Sequence, residues 1–168
     1  MRFTGHTSNR LGFTLLEVVS VIGVMAILAV LLLPNLNSKK GNVELDSNTS
    51  KIVVLLREAQ SRALAQSSSS IWGVHFENST STNVGAFFSL YSVSYNASST
   101  LTKTPLSQGV RYVTSSLPLG GSLNVSFSPI TGLPSASSSI QIELTNPVGF
   151  PSRPSSTISV NTFGAISF

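Results

Sequence analysis

The feature that most constrains this chain is one apolar run near its beginning. From Phe13 to Leu33 there are 21 residues, and the only charged one among them is Glu17. As a helix rising 1.5 Å per residue, such a run spans roughly 30 Å, the thickness of a bilayer core. It is preceded by the polar leader MRFTGHTSNRLG, whose Arg2 and Arg10 have no acid beside them. Arginines before the run and none inside it predict a cytoplasmic N-terminus.

Three readings of the run compete. An ordinary secretory signal has a 7–15-residue apolar core and a small-x-small cut site at its far end. Here the run is longer and ends in Leu31-Leu32-Leu33-Pro34, with no A-x-A pattern following. A plain membrane anchor fits the length but has no use for a carboxylate near one end. A charge in hydrocarbon costs on the order of 2.5–3.5 kcal/mol at mid-helix and less near an interface, so on this second reading Glu17 merely sits among headgroups.

The third reading comes from a resemblance. Gly12-Phe13-Thr14-Leu15-Leu16-Glu17 resembles the processing site of type IV prepilins and type II secretion pseudopilins: a short basic leader ending in Gly, an aromatic first residue, and Glu fifth in the mature chain. The resemblance implies cleavage after Gly12 by a prepilin peptidase, methylation of the new Phe13 amine, and retention of the apolar stretch. It also implies an assembly role for Glu17, neutralised by the N-terminal amine of a neighbouring subunit, since a buried carboxylate without a positive partner is expelled or protonated. Pro34 falls where family members carry a helix-kinking proline, and it removes a backbone donor there.

Beyond Pro34 a polar patch, 35–42, precedes a second helical pattern. Leu45, Ile52, Leu55, Leu56, Ala59 and Ala63 recur on one face, while Lys51, Glu58 and Arg62 look elsewhere. Glu58 and Arg62 stand four apart in the favourable order. The amphipathic half is expected over 37–66, ending before the serine run Ser67–Ser70, which has poor helix propensity.

A one-sided helix needs a sheet to lie against. Strands are expected at 71–77, 86–95, 110–114, 123–128, 140–144, 157–160 and 165–168. Several alternate cleanly, such as Leu123, Val125 and Phe127, or Ile140, Ile142 and Leu144. Turn-rich links separate them, including Leu119-Gly120-Gly121 and Pro129-Ile130-Thr131-Gly132. The expected fold is therefore α+β: a long N-terminal helix, transmembrane in its first half (13–36) and amphipathic in its second, packed on an antiparallel β-sheet domain over 67–168. The implied placement is a single-pass protein of the bacterial inner membrane with the β domain outside.

Composition agrees with a surface of hydroxyls. The chain has 32 Ser in 168 residues and only 10% charged residues, against roughly 25% in an ordinary soluble domain. After the leader, eight Lys/Arg face six Asp/Glu, which is no footprint of nucleic-acid binding. There is no cysteine, so disulfide and thiol chemistry are excluded.

Diffuse features, namely Arg57 to Gln66 (REAQSRALAQ), the early Trp72 and the segment Phe127 to Gly132, resemble the H-type minor pseudopilins and FimT-type minor pilins. Major pseudopilins bind calcium through a cage of acids near the C-terminus, whereas Glu143 is the only acid here after Glu77. The function implied is that of a minor pilin or pseudopilin, not an enzyme, with no cofactor and no metal. Its partners would be other subunits, the prepilin peptidase, an inner-membrane assembly platform and membrane lipid. Two alternatives stay open. One is a DNA-contacting minor pilin, which calls for clustering of Lys103, Arg111 and Arg153. The other is an anchored extracellular binding module, which calls for a concave surface lined by Trp72 or tyrosines. A membrane-anchored hydrolase using His75 lacks a G-x-S-x-G elbow and has only Glu143 as a later acid.

Overall fold

A computed structural model describes residues 13–80, 85–96, 98–145 and 153–168, with side chains in α1 described except for 30–39. The chain divides into two compact units, Met1–Leu36 and Asn37–Phe168. The backbone of α1 is helical over Leu15–Leu64. A short 3-10 turn follows at Ser67–Ser69, entered through Gln66 in the left-handed region.

In the second unit α1 buries Leu45, Ile52, Leu56, Ala59 and Ala63 against the β-structure. Ala59 and Ala63, both fully buried, let the sheets approach closely where a larger side chain would hold them off. Arg62 donates to Glu58 at 2.7 Å on the flank of that stripe, and its guanidinium lies 4.8 Å over the Trp72 ring.

Eight strands follow: β1 Trp72–Glu77, β2 Phe87–Ser92, β3 Thr100–Pro105, β4 Val110–Tyr112, β5 Ser122–Phe127, β6 Ser138–Leu144, β7 Ser155–Val160 and β8 Ile166–Ser167. They form two four-stranded sheets, in the orders β3-β2-β1-β5 and β4-β6-β7-β8, with every pairing antiparallel. In the first sheet Trp72, Val74, Phe76, Phe88, Leu90, Val125 and Phe127 point into one core shared with α1. Val110, Tyr112, Ile140, Ile142, Leu144, Ile158 and Val160 of the second sheet enter the same core. Tyr112 joins the sheets: its ring meets Phe76 edge-on with centroids 6.4 Å apart, and its buried hydroxyl donates to the Phe87 carbonyl at 3.1 Å.

Two expectations do not hold. The single antiparallel sheet is two sheets, because β4 pairs only with β6 and passes the chain from the first layer to the second. The transmembrane first half, and with it the single-pass inner-membrane placement, is also overturned. Among the described residues no helix is long and apolar enough to cross a membrane. Strand β3 is not among the expected strands, since its Thr-Leu-Thr-Lys-Thr-Pro is polar and exposed along an edge and carries no burial signal. Pro105 ends that edge strand, where its missing N–H costs no ladder bond.

Candidate assembly surface

The N-terminal unit begins with a capped helix. The Glu17 N–H donates to the Thr14 hydroxyl at 3.3 Å and to the Thr14 carbonyl at 3.1 Å. Thr14 is thus the N-cap of α1 and Glu17 its third residue, the Thr-x-x-Glu spacing of a capping box. The acid also sits in the first turn, where the helix dipole favours negative charge. Sequence reasoning missed this local role for Glu17, although the spacing was there to find. The helix dipole accounts for an acid at this position without any partner molecule. It leaves the carboxylate itself unused: among the described residues the Glu17 side chain makes no hydrogen bond or ion pair.

Around Glu17 the helix is apolar on every side. Leu15, Leu16, Val18, Val19, Val21, Ile22, Val24, Met25, Ile27 and Leu28 are all exposed, as is Phe13 at 81%. Successive residues turn by about 100°, so these positions cover the whole circumference of the cylinder. A furrow of about 320 Å³ runs along one side, lined by Ser20, Val21, Val24, Met25 and Leu28. Ser20 turns its hydroxyl inward onto the Leu16 carbonyl at 2.8 Å and so does not break the apolar surface. Of the other residues expected to act here, Gly12 lies outside the described residues. Pro34 falls within α1, among those whose side chains are not described.

The remaining candidates lie in the second unit and do not converge. His75 is buried on β1, on the opposite sheet face from Val74 and Phe76. Its Nδ1 is 2.6 Å from Asn124 Oδ1, its Nε2 is 3.3 Å from Glu77 Oε2, and its ring stacks on Tyr95 with centroids 3.4 Å apart. These contacts hold the imidazole on both sides, and the buried hydroxyl of Ser89, its cross-strand neighbour on β2, makes no hydrogen bond to it. Trp72 is buried in the core, and Tyr91 packs across Gly73, where a Cβ would lie 2.6 Å from the tyrosine hydroxyl. Burial raises the Tyr91 hydroxyl's pKa, opposed by its bond to Ser126. Burial likewise raises Tyr95, reinforced by the Glu77 charge, and raises Tyr112 most of all.

Arg111 and Arg153 do meet, but on a shared acid. Arg111 Nε donates to Glu143 at 2.7 Å and Arg153 at 3.3 Å. Lys103 is on the other sheet, 3.7 Å over the Phe87 ring. Among the described residues there is no cluster of three or more His, Asp or Glu able to hold a metal ion.

Gln60 carries no signal of its own in the sequence. Its amide donates to the Gly132 carbonyl at 3.1 Å and the Gly164 carbonyl at 3.0 Å, pinning two loops to α1. Both glycines have positive φ and lie against Leu64 and Gln60, so neither position admits a side chain without displacement.

Comparison of the chain with protein-family models, with curated proteins and with solved structures finds no match.

Proposed function

We propose that this chain is a structural subunit of a filament of the type IV pilin or pseudopilin kind, built by association of the apolar helical surface Phe13–Leu28 with other subunits. The observation that carries the reading is an apolar surface exposed round the helix, with one carboxylate set in it that has no ion-pair partner among the described residues. A helix apolar on all sides has no stable place as a lone surface in water, and contiguous exposed apolar patches of more than a few hundred Å² mark interaction sites. Where such a helix meets a different surface of the next copy the interface is heterologous, and one whose rotation does not close repeats into a filament. Glu17 then requires a cation from the next subunit, because a carboxylate desolvated without one costs several kcal/mol.

The resemblance of Gly12 to Glu17 supplies the cation. Cleavage after Gly12 frees the Phe13 amine one helical turn from Glu17, so the amine of one copy and the carboxylate of another can fix axial register. In this reading the protein's work is mechanical, and no residue is given a catalytic role. The partners are further subunits and the peptidase that removes residues 1–12. Replacing Gly12 by Val in cells with an active prepilin peptidase should leave the precursor uncut and absent from filaments sheared off the cell surface. Normal shortening of that variant would remove the basis of the reading.

A further inference from the structure

The first sheet ends at β3, and among the described residues no strand lies on its outer side. Just before β2 and just after β3, Leu106 donates its N–H to the Ala86 carbonyl at 2.9 Å. Bonding pairs alternate along an antiparallel ladder, so Thr104 and Thr102 turn their backbone groups toward β2. Lys103 and Pro105 turn theirs outward, which puts the Lys103 N–H and both carbonyls on the free edge. Pro105 fits that set, having no N–H to place there. Side chains alternate as well. Thr102 and Thr104 stand opposite Leu90 and Phe88, both core residues, and so share the sheet face turned to α1. Between that face and α1 runs a groove of about 480 Å³, lined by Lys51, Val54 and Leu55 of α1, Phe88 of β2 and Thr104 of β3. An unpaired edge beside an apolar groove under a helix is the place of a missing strand.

We infer that the β3 edge and this groove bind an extended, acidic peptide segment of another protein, which adds to the four-stranded sheet as a fifth strand. The site lies wholly within the second unit. Main-chain bonds to a sheet edge supply affinity, and every second side chain of the added strand faces the groove, where small apolar groups match Val54 and Leu55. The six residues of β3 span roughly 20 Å, the length of segment the edge can hold. Charge selects the occupant. Lys51 lines the groove and Lys103 stands on β3, and neither is in an ion pair among the described residues. The sequence has no acid between Glu77 and Glu143, so β2 and β3 bring none to them. A second copy paired edge to edge would set Lys103 against Lys103, a like-charge contact of the kind that guards sheet edges. Acids on a peptide segment meet both lysines.

Full-length chain in detergent micelles is titrated with a fluorescein-labelled peptide that alternates Val and Thr and carries Glu near each end. Anisotropy is read against micelles alone, and saturable binding is expected. Methylating the backbone nitrogen of every second residue blocks one hydrogen-bonding edge of the peptide. One of the two alternate sets should weaken binding about tenfold or more, and the other should leave it unchanged. Val54→Lys should also weaken it about tenfold or more, with an unchanged melting temperature, since Val54 is exposed. Lys51→Glu should weaken this peptide more than one with Gln in place of Glu. No saturable binding up to about 1 mM peptide, equal binding of the two methylated sets, or parental affinity in Val54→Lys would each overturn the site. A chain that dimerises through this edge and holds no peptide would assign it to a second copy and overturn the peptide site as well.

Discussion

Replacing Glu17 by Ala separates what this acid does for its own helix from what it does between subunits. Within the chain the side chain makes no hydrogen bond or ion pair among the described residues, and the Thr14 cap uses the Glu17 backbone N–H, which Ala retains. The local loss is confined to the favourable interaction with the helix dipole, about 0.3–1 kcal/mol at an exposed site. Between subunits the loss is larger. Removing one partner of a buried ion pair strands the other and costs about 3–5 kcal/mol, a factor of about 10² to 10³·⁵ in incorporation at 1.4 kcal/mol per decade. The assay compares the chain recovered in sheared filaments with total chain, alongside thermal unfolding followed by circular dichroism. The expected result is a melting temperature within a few degrees of the parent and at least a hundredfold fall in the filament fraction. Parental incorporation would show that Glu17 is only a capping residue and would refute the buried-pair reasoning. A fall of equal size in Glu17→Gln would place the effect on the charge rather than on side-chain volume.

Two further outcomes test the second unit. Gln60→Met removes both amide bonds to the Gly132 and Gly164 carbonyls; at about 1 kcal/mol net for each the loss is about 2 kcal/mol, or about 6–10 °C in melting temperature, and an unchanged melting curve would contradict the clamp. All three tyrosines have raised pKa values, chiefly by burial, so the unfolded chain loses these protons first. Stability should therefore hold below the ordinary tyrosine pKa of about 10 and fall as pH rises above it. Spectroscopic titration should show phenolate appearing later in the folded chain than after denaturation, and coincident curves would contradict the burial of Tyr112.

What the sequence made legible follows from where burial leaves a periodic trace. Leu45, Ile52, Leu56, Ala59 and Ala63 recur at helical spacing because one face of α1 meets the sheets, and all five are buried. The Glu58–Arg62 pair was readable for the same reason, since spacing alone sets it. Alternation revealed β5 and β6, whereas β3 left no trace, because an edge strand with both faces near solvent selects no apolar residue. The division into two sheets was not legible: it depends on β4 pairing with β6 across an interval of 32 residues at Arg111 and Glu143, and no local pattern encodes that choice. Around the candidate site, the apolar run and its single acid were plain in the sequence. The length of that run was not enough to establish a membrane crossing among the described residues. Gln60 escaped notice because its partners are backbone carbonyls 72 and 104 residues away.

Assembly through the N-terminal helix is tested most directly by the mass of the chain recovered from sheared filaments. Intact-mass and N-terminal peptide measurements should find residues 1–12 gone and a methylated Phe13 at the start. Full-length chain with Met1 in those filaments, or a first residue downstream of Leu33, would contradict assembly through the Phe13–Leu28 helix.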